Sequence, residues 1–352
     1  MKLIRFMLVG VTLCVVYTGN AWAIISGEPI VWAENDNLVS LFECSGTRIG
    51  RNHVLTAAHC YDHGHNPHFL ADAYHQYAQL LVDRVAIHPN YTAESLSEDV
   101  AIITLSKVTD VARIQFFKDL TLPTDVESEN ITIDGFAGTL APKRADYTLY
   151  KRDGNFPFNI EAVKGGVAQT EGGDSGAAWV NQQNEIVAVH QSIGTETITA
   201  TDLHFAADFI LDTINGWHYP TIANISGHTT IEVQSLHRDI ISDSAYTVGG
   251  AILNVEDSTC LKGPIKPFQR CTYVLESTGN KGLLYLSDSE VIRLKRGVPL
   301  NNGSIDSVKP APIEEVQQPS AKQPHSKSGG SISFFPLVVL LVFGLVRKKL
   351  AL

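Results

Sequence analysis

Three short segments carry side chains suited to joint acid–base and nucleophilic chemistry: Leu55-Thr56-Ala57-Ala58-His59-Cys60, Glu98-Asp99-Val100-Ala101-Ile102-Ile103 and Gly172-Gly173-Asp174-Ser175-Gly176. A serine hydroxyl is a poor nucleophile near neutral pH, so Ser175 needs a base to take its proton. An imidazole has the right ordinary pKa for that task and can return the proton to a leaving group. A carboxylate behind it, such as Asp99, would hold the correct tautomer and stabilise the cation that forms.

Such distant segments need a scaffold that folds them together. From Ile24 to about Thr221 the chain runs as short apolar stretches broken by Gly, Asn, Asp and Pro, among them Arg51 to Leu55, Val100 to Leu105, Ile131 to Ile133 and Ile186 to Val189. Many short strands with turn signals predict an all-β barrel or sandwich. One helix is expected near the end of this region, where Leu203, Ala207, Ile210, Leu211 and Ile214 keep helical spacing. Thr201 or Asp202 can cap its start and Gly216 can end it. Residues 223–297 form a second β-rich stretch, with strands expected around Ile231–Val233, Ile252–Val255, Cys271–Leu275, Leu283–Leu286 and Val291–Leu294. It reads as a small β-sandwich-like accessory domain. Residues 298–330, rich in Pro, Ser, Gln and Lys, hold too few large apolar side chains to fold and read as a linker.

The first 23 residues place Lys2 and Arg5 before an apolar stretch and close on Ala21-Trp22-Ala23, the order of a secretory signal peptide. Residues 331–352 carry an apolar run, Ile332 to Val346, followed by Arg347, Lys348 and Lys349. That is the pattern of a membrane segment with its basic end inside, although it falls short of the about 20 residues that comfortably span a bilayer. The formal net charge is −10, and removal of the five bases at the two ends leaves −15. A body this acidic repels phosphate backbones, which excludes nucleic acid as a partner.

With Cys14 inside the signal segment, Cys44, Cys60, Cys260 and Cys271 remain. Export makes two local disulfides the expected pairing, out of three connectivities open to four cysteines. Zinc is the weaker alternative, since no compact His/Cys spacing accompanies them. The histidine-rich stretch of His63, His65, His68 and His75 reads as a polar surface loop rather than a metal site. No metal or cofactor is called for.

The three opening segments, in the order His, Asp, Ser, resemble the trypsin/chymotrypsin family of serine proteases. Cys44 stands sixteen residues before Cys60, as in that family's histidine-loop disulfide. His88-Pro89-Asn90-Tyr91, Gly135-Phe136-Ala137-Gly138 where the family has Gly-Trp-Gly, and the closing helix agree as well. The resemblance runs over residues 24–222 and implies a two-barrel chymotrypsin-like protease domain. It further implies that His59, Asp99 and Ser175 are the catalytic triad and that the N–H groups of Gly173 and Ser175 form the oxyanion hole. In the family the residue matching Asp174 pairs with a new N-terminal ammonium. Ile24-Ile25-Ser26-Gly27 resembles the family's Ile-Val-Gly-Gly start and directly follows the signal-cleavage signature. Signal peptidase itself would then make the activating terminus, with no propeptide.

The substrate pocket departs from trypsin. Six residues before the serine, where trypsin has its pocket-base Asp, stands Gln169, so a cationic P1 side chain would lose its buried partner. Thr170 and His190 resemble the P1 pocket of bacterial glutamyl endopeptidases, in which a hydroxyl and an imidazole donate to a carboxylate or amide oxygen. Glu171 replaces the family's cysteine, and Gln191-Ser192-Ile193 replaces its Ser-Trp-Gly substrate strand. The tail from Ser328-Gly329-Gly330-Ser331 onward resembles the GlyGly-CTERM sorting signal, which implies transient membrane attachment and removal by a membrane protease, a permanent anchor being the alternative. The expectation is an exported serine endopeptidase acting on protein or peptide substrates, with residues 223–297 free to meet a surface partner. The rival expectation is a binding protein on an inactive protease scaffold.

Overall fold

A computed structural model describes residues 24–61, 70–76 and 80–296. The expected signal peptide (1–23), His63, His65 and His68, the linker (298–330) and the apolar tail (331–352) lie outside the described residues. Among the described residues no helix is long and apolar enough to cross a membrane.

Leu38–Ser40, Ser45–Ile49, His53–Thr56, Ala101–Leu105 and Val82–Ile87 pair in that order as a five-stranded antiparallel sheet. Alternation along these strands splits their apolar residues between two faces. Val54, Ile103 and Leu105 pack with Val39 and Leu41, whereas Leu55 and Ile102 face Val189 and Ile210 across the domain. This sheet is an open half-barrel. Its first strand is only three residues long, and Ser40 exchanges both backbone hydrogen bonds with Ala71 instead of closing the ring.

The second sheet does close. Lys143–Arg152, Asn159–Lys164, Thr197–Asp202, Glu185–Ile193, Ala178–Asn181 and Asn130–Gly135 pair in succession, and the last returns to the first. The result is a six-stranded antiparallel barrel filled by Ile133, Tyr147, Ile160, Trp179 and Ile198. The chymotrypsin-like two-barrel arrangement is therefore present with one barrel closed and one half open, and the site forms between them.

After the second barrel a short turn, Leu203–Ala206, leads into the helix Ala207–Ile214, and Asp202 caps the turn by accepting from the His204 N–H. The helix ends one residue earlier than Gly216 would require. Asn215 adopts φ 39° and takes the left-handed position, a conformation that asparagine tolerates better than most residues.

The remaining residues form a separate two-stranded pair, Ile241–Ser242 with Pro264–Ile265, and a six-stranded sheet built around one long strand, Arg270–Tyr285. Two separate strands were expected within it. The glycine- and asparagine-containing stretch between them stays within one strand but carries its irregularity: against Tyr246–Asn254 the register jumps from Gly249 opposite Gly282 to Ala251 opposite Ser277, so residues 278–281 of the long strand oppose the single Gly250. Cys44–Cys60 and Cys260–Cys271 are both disulfide-bonded. Two buried side chains tie this sheet to the barrels. Gln234 accepts from the Phe117 N–H at 2.9 Å and donates to the Phe117 and Phe268 carbonyls. His218 accepts from the Gly50 N–H at Nδ1 and donates from Nε2 to the Gln115 carbonyl, and burial lowers its pKa to about 4.

Candidate active site

His59 sits in a short turn just after the strand His53–Thr56, with Asp99 just before Ala101–Leu105, the strand paired to it. Sheet register therefore brings the two together. Asp99 Oδ2 lies 2.5 Å from His59 Nδ1, and Asp99 Oδ1 accepts from the His59 backbone N–H at 2.8 Å. Asp99 is buried whereas His59 keeps 36% of its side chain exposed. A carboxylate bonded at Nδ1 fixes that nitrogen as the protonated one, which leaves Nε2 as the base. The Asp99 N–H in turn donates to Thr201 Oγ1 on the closed barrel.

Ser175 arrives from the other barrel, in the loop before Ala178–Asn181. Its carbonyl accepts from the Ser45 N–H at 2.7 Å, and Cys60 Sγ lies 3.9 Å from the same oxygen, so Ser175 stands beside the residue that follows His59. Its hydroxyl makes no hydrogen bond among the described residues. Nucleophile–base contacts of this kind commonly tighten only when substrate binds. Ser45 is the hinge pin of the site, since its hydroxyl accepts from the Phe136 N–H and donates to the Gly173 carbonyl at 2.9 Å. Gly173 has φ +99° and Gly176 has φ +85°. A Cβ on Gly176 would come within 2.1 Å of Thr56 Oγ1, so the two barrels approach each other here only because a side chain is missing. Among the described residues the Gly173 and Ser175 N–H groups have no protein acceptor, as donors for an oxyanion must.

Asp174 points the other way, into the barrel. It is fully buried, accepts from the Ala137 and Glu171 N–H groups at 3.0 and 2.8 Å, and burial lifts its carboxyl to about 7. Ile24 is buried too, and Ile25 and Gln169 exchange both backbone hydrogen bonds, which docks the start of the described chain against the loop leading to Asp174. The Ile24 N–H makes no hydrogen bond to Asp174. With Ala23 still attached it is a neutral peptide and has no charge to offer.

Of the three expected pocket residues, Gln169 and Thr170 lie in the loop leading to Asp174, and His190 lies on a strand bonded to the serine loop. Thr170 is fully buried, and its N–H donates to the Tyr147 hydroxyl at 2.9 Å. His190, on Glu185–Ile193, is linked to the serine loop through the Gly176 N–H to His190 carbonyl bond. Trp179 Nε1 donates to His190 Nδ1 at 3.3 Å, while His190 Nε2 is buried without a partner. An Nδ1 that accepts leaves the proton on Nε2. Burial, helped by the nearby His59, lowers the His190 pKa to about 3, so the ring is a neutral donor. Gln169 Oε1 accepts from Lys164 Nζ at 2.7 Å.

Against this geometry, residues 32–210 match the sequence pattern of the family described as Trypsin. The chain belongs to the trypsin family. Over 176 residues, this trypsin-family chain is 25% identical to a glutamyl endopeptidase of Staphylococcus aureus (strain MRSA252), a match that spans 46% of each protein. Among solved structures, the Vibrio cholerae VesB protease aligns with a TM-score of 0.43 at 18% identity, covering 77% of this chain and 99% of that one. The scabies mite inactivated protease paralogue S-I1 aligns with a TM-score of 0.44 at 19% identity, covering 53% and 99%.

Several residues bonded to the candidate site residues escaped the sequence reading, namely Ser45, Tyr147, Trp179 and Lys164, and Thr201 was read only as a helix cap. Ser45, Thr201, Tyr147 and Trp179 meet the site across strands or barrels, Lys164 reaches Gln169 five residues along the chain, and none stands in a local motif. His75, the one described member of the histidine-rich stretch, is bonded through Nδ1 to Asp72 at 2.8 Å, a carboxylate partner that the sequence reading did not assign.

Proposed function

We propose that this chain is an exported serine endopeptidase that cleaves peptide bonds through His59, Asp99 and Ser175, with Glu as its preferred P1 residue and Gln next. The observation that carries the catalytic reading is the buried Asp99 held at both oxygens by His59, next to a serine loop whose Gly173 and Ser175 N–H groups are unengaged. In this scheme His59 Nε2 takes the Ser175 proton as Oγ attacks the scissile carbonyl, and the two N–H groups hold the oxyanion. The imidazolium then protonates the leaving amine, and water attacks the acyl-enzyme by the same route in reverse.

The P1 reading is supported by the partnerless Nε2–H of His190, by Gln169 in place of an acidic pocket base, and by the likeness to a protein named glutamyl endopeptidase. Export is supported by the two disulfides, which belong to oxidising compartments. Signal cleavage before Ile24 would turn its peptide nitrogen into an ammonium facing the Asp174 side of the barrel, and the tail would be removed near Gly329-Gly330. Intact mass of the protein from the medium checks both ends.

The deciding experiment joins fluorophosphonate labelling to cleavage profiling of an unbiased peptide library. Modification at Ser175 with Glu enriched at P1 is the expected result. A preference for Arg or Lys overturns the pocket assignment, and absence of labelling favours the inactive-scaffold alternative.

A further inference from the structure

Resting on the acidic-P1 reading, we infer that Lys164 is a specificity determinant, the cation that makes the pocket choose a carboxylate over an amide. Nothing in the local sequence marks it. Lys164 ends the strand Asn159–Lys164, eleven positions before the serine, in a stretch that otherwise looks like a turn of small residues.

The sheet register brings Lys164 to the pocket. Lys164 pairs directly with Tyr147 on the neighbouring strand, and directly paired residues share a face of the sheet. Tyr147 projects inward, where its hydroxyl accepts from the Thr170 N–H and lies 3.4 Å from Thr170 Oγ1. Lys164 thus extends along the same inner face, and its ammonium reaches Gln169 Oε1 at 2.7 Å and the Thr195 carbonyl at 3.5 Å. Gln169 occupies the position expected for the pocket base, and Thr195 lies in the hairpin closed by the Gly194 N–H to Thr197 carbonyl bond. The lysine therefore sits behind the base, between it and that hairpin.

Its chemistry selects for negative charge in two ways. An ammonium only donates, so its contact with Gln169 commits the amide oxygen and leaves the Gln169 NH2, which has no partner among the described residues, as the free end. With His190 Nε2–H and the Thr170 hydroxyl, the pocket then offers donors throughout. Donors alone accept a glutamine oxygen nearly as readily as a carboxylate. The second contribution is charge: among the described residues no carboxylate forms an ion pair with Lys164, so its charge is left to act on whatever enters a partly desolvated pocket. His190, held neutral by burial, does not supply that charge.

The test measures kcat/KM for matched peptides with P1 Glu, Gln and Leu, using the mature protein and its Lys164→Met and Lys164→Arg variants. Lys164→Met should lower the Glu value about tenfold or more, mainly through KM, and leave Gln and Leu within about threefold. Lys164→Arg, which keeps the charge, should recover most of the Glu preference. Added salt should erode the Glu-to-Gln ratio of the wild type and leave that of Lys164→Met flat. If Lys164 serves only to brace the hairpin, Glu, Gln and Leu fall together and the assignment is overturned. An unchanged Glu-to-Gln ratio in a folded Lys164→Met enzyme overturns it as well, while leaving the acidic-P1 reading intact. A wild type with no preference for Glu removes that reading and, with it, the role of Lys164.

Discussion

The cleft and the pocket beside it share one loop, residues 169–176, yet they treat their polar groups in opposite ways. In the cleft the protein satisfies its own charge: both Asp99 oxygens are taken by His59, and the Asp99 N–H is taken by Thr201. In the proposed pocket hydrogen-bonding capacity is left over, with His190 Nε2 buried and unpartnered and the Lys164 ammonium bonded to one end of the Gln169 amide. A preassembled cleft gives rate, because its groups need no rearrangement as charge develops. Unmet donors in the proposed pocket would give selection, because a buried donor without a partner is costly and only a matching side chain relieves it.

That contrast can be broken most sharply on the cleft side. Ser175→Ala should lower turnover by about 10⁴ to 10⁶ with the thermal midpoint unchanged, since the hydroxyl supplies nucleophilicity and little packing. Undiminished proteolysis by the purified variant would end the catalytic assignment.

Asp174 separates the two regions next. In a chain extended beyond Ile24 its carboxyl is buried at about 7 against an ordinary 3.8. The folded state then holds the proton more tightly than the unfolded one, so stability is greatest below pH 4 for this group and is lost as pH rises toward 7. The loss should be on the order of 4 kcal/mol. A chain starting at Ile24, whose ammonium favours the charged carboxylate, should lack that decline. Urea titrations of both forms from pH 4 to 8 make the comparison, and identical curves would count against the ion pair.

On the pocket side, His190→Ala should cut kcat/KM for P1 Glu about 100-fold while P1 Leu changes little. The ring is held down at about 3 by burial and His59, so it works as a neutral donor and the wild-type Glu-to-Leu ratio should stay level between pH 6 and 8. A fall in that ratio through the ordinary histidine range would show a protonated ring instead. The smallest effect is expected for Trp179→Phe. Loss of the indole N–H frees the His190 tautomer and should cost about fivefold on Glu, worth roughly 1 kcal/mol. Equal losses on Glu and Leu would mean the indole only packs.

How much of this was readable beforehand follows the same division. His59, Asp99 and Ser175 lie in short motifs because each needs particular neighbours: Gly176 has no Cβ to strike Thr56, and Asp99 is followed by a buried strand. Thr170 and His190 were legible only through resemblance. Trp179, Tyr147 and Lys164 were not legible at all, since their partners lie across strands and register is not written in any one segment. The fold shows the same limit. Most strands announced themselves by alternation and turn residues, whereas the long strand Arg270–Tyr285 was divided in two because its central residues favour turns; they do interrupt the ladder, residues 278–281 bulging opposite Gly250, yet the strand runs on through them.

The anchors between the barrels and the C-terminal sheet bear on how such a chain can change over evolutionary time. His218 meets the Gly50 N–H and the Gln115 carbonyl, and Gln234 completes Phe117 from both sides. Deleting that sheet would strip hydrogen-bond partners from the protease core itself and uncover Phe117 and the helix face that pack against Leu236 and Phe268. The sheet is thus not an exchangeable cassette. A lineage carrying this protease inherits both parts as one unit, and recombination at the boundary should yield chains that fail to mature rather than smaller working enzymes.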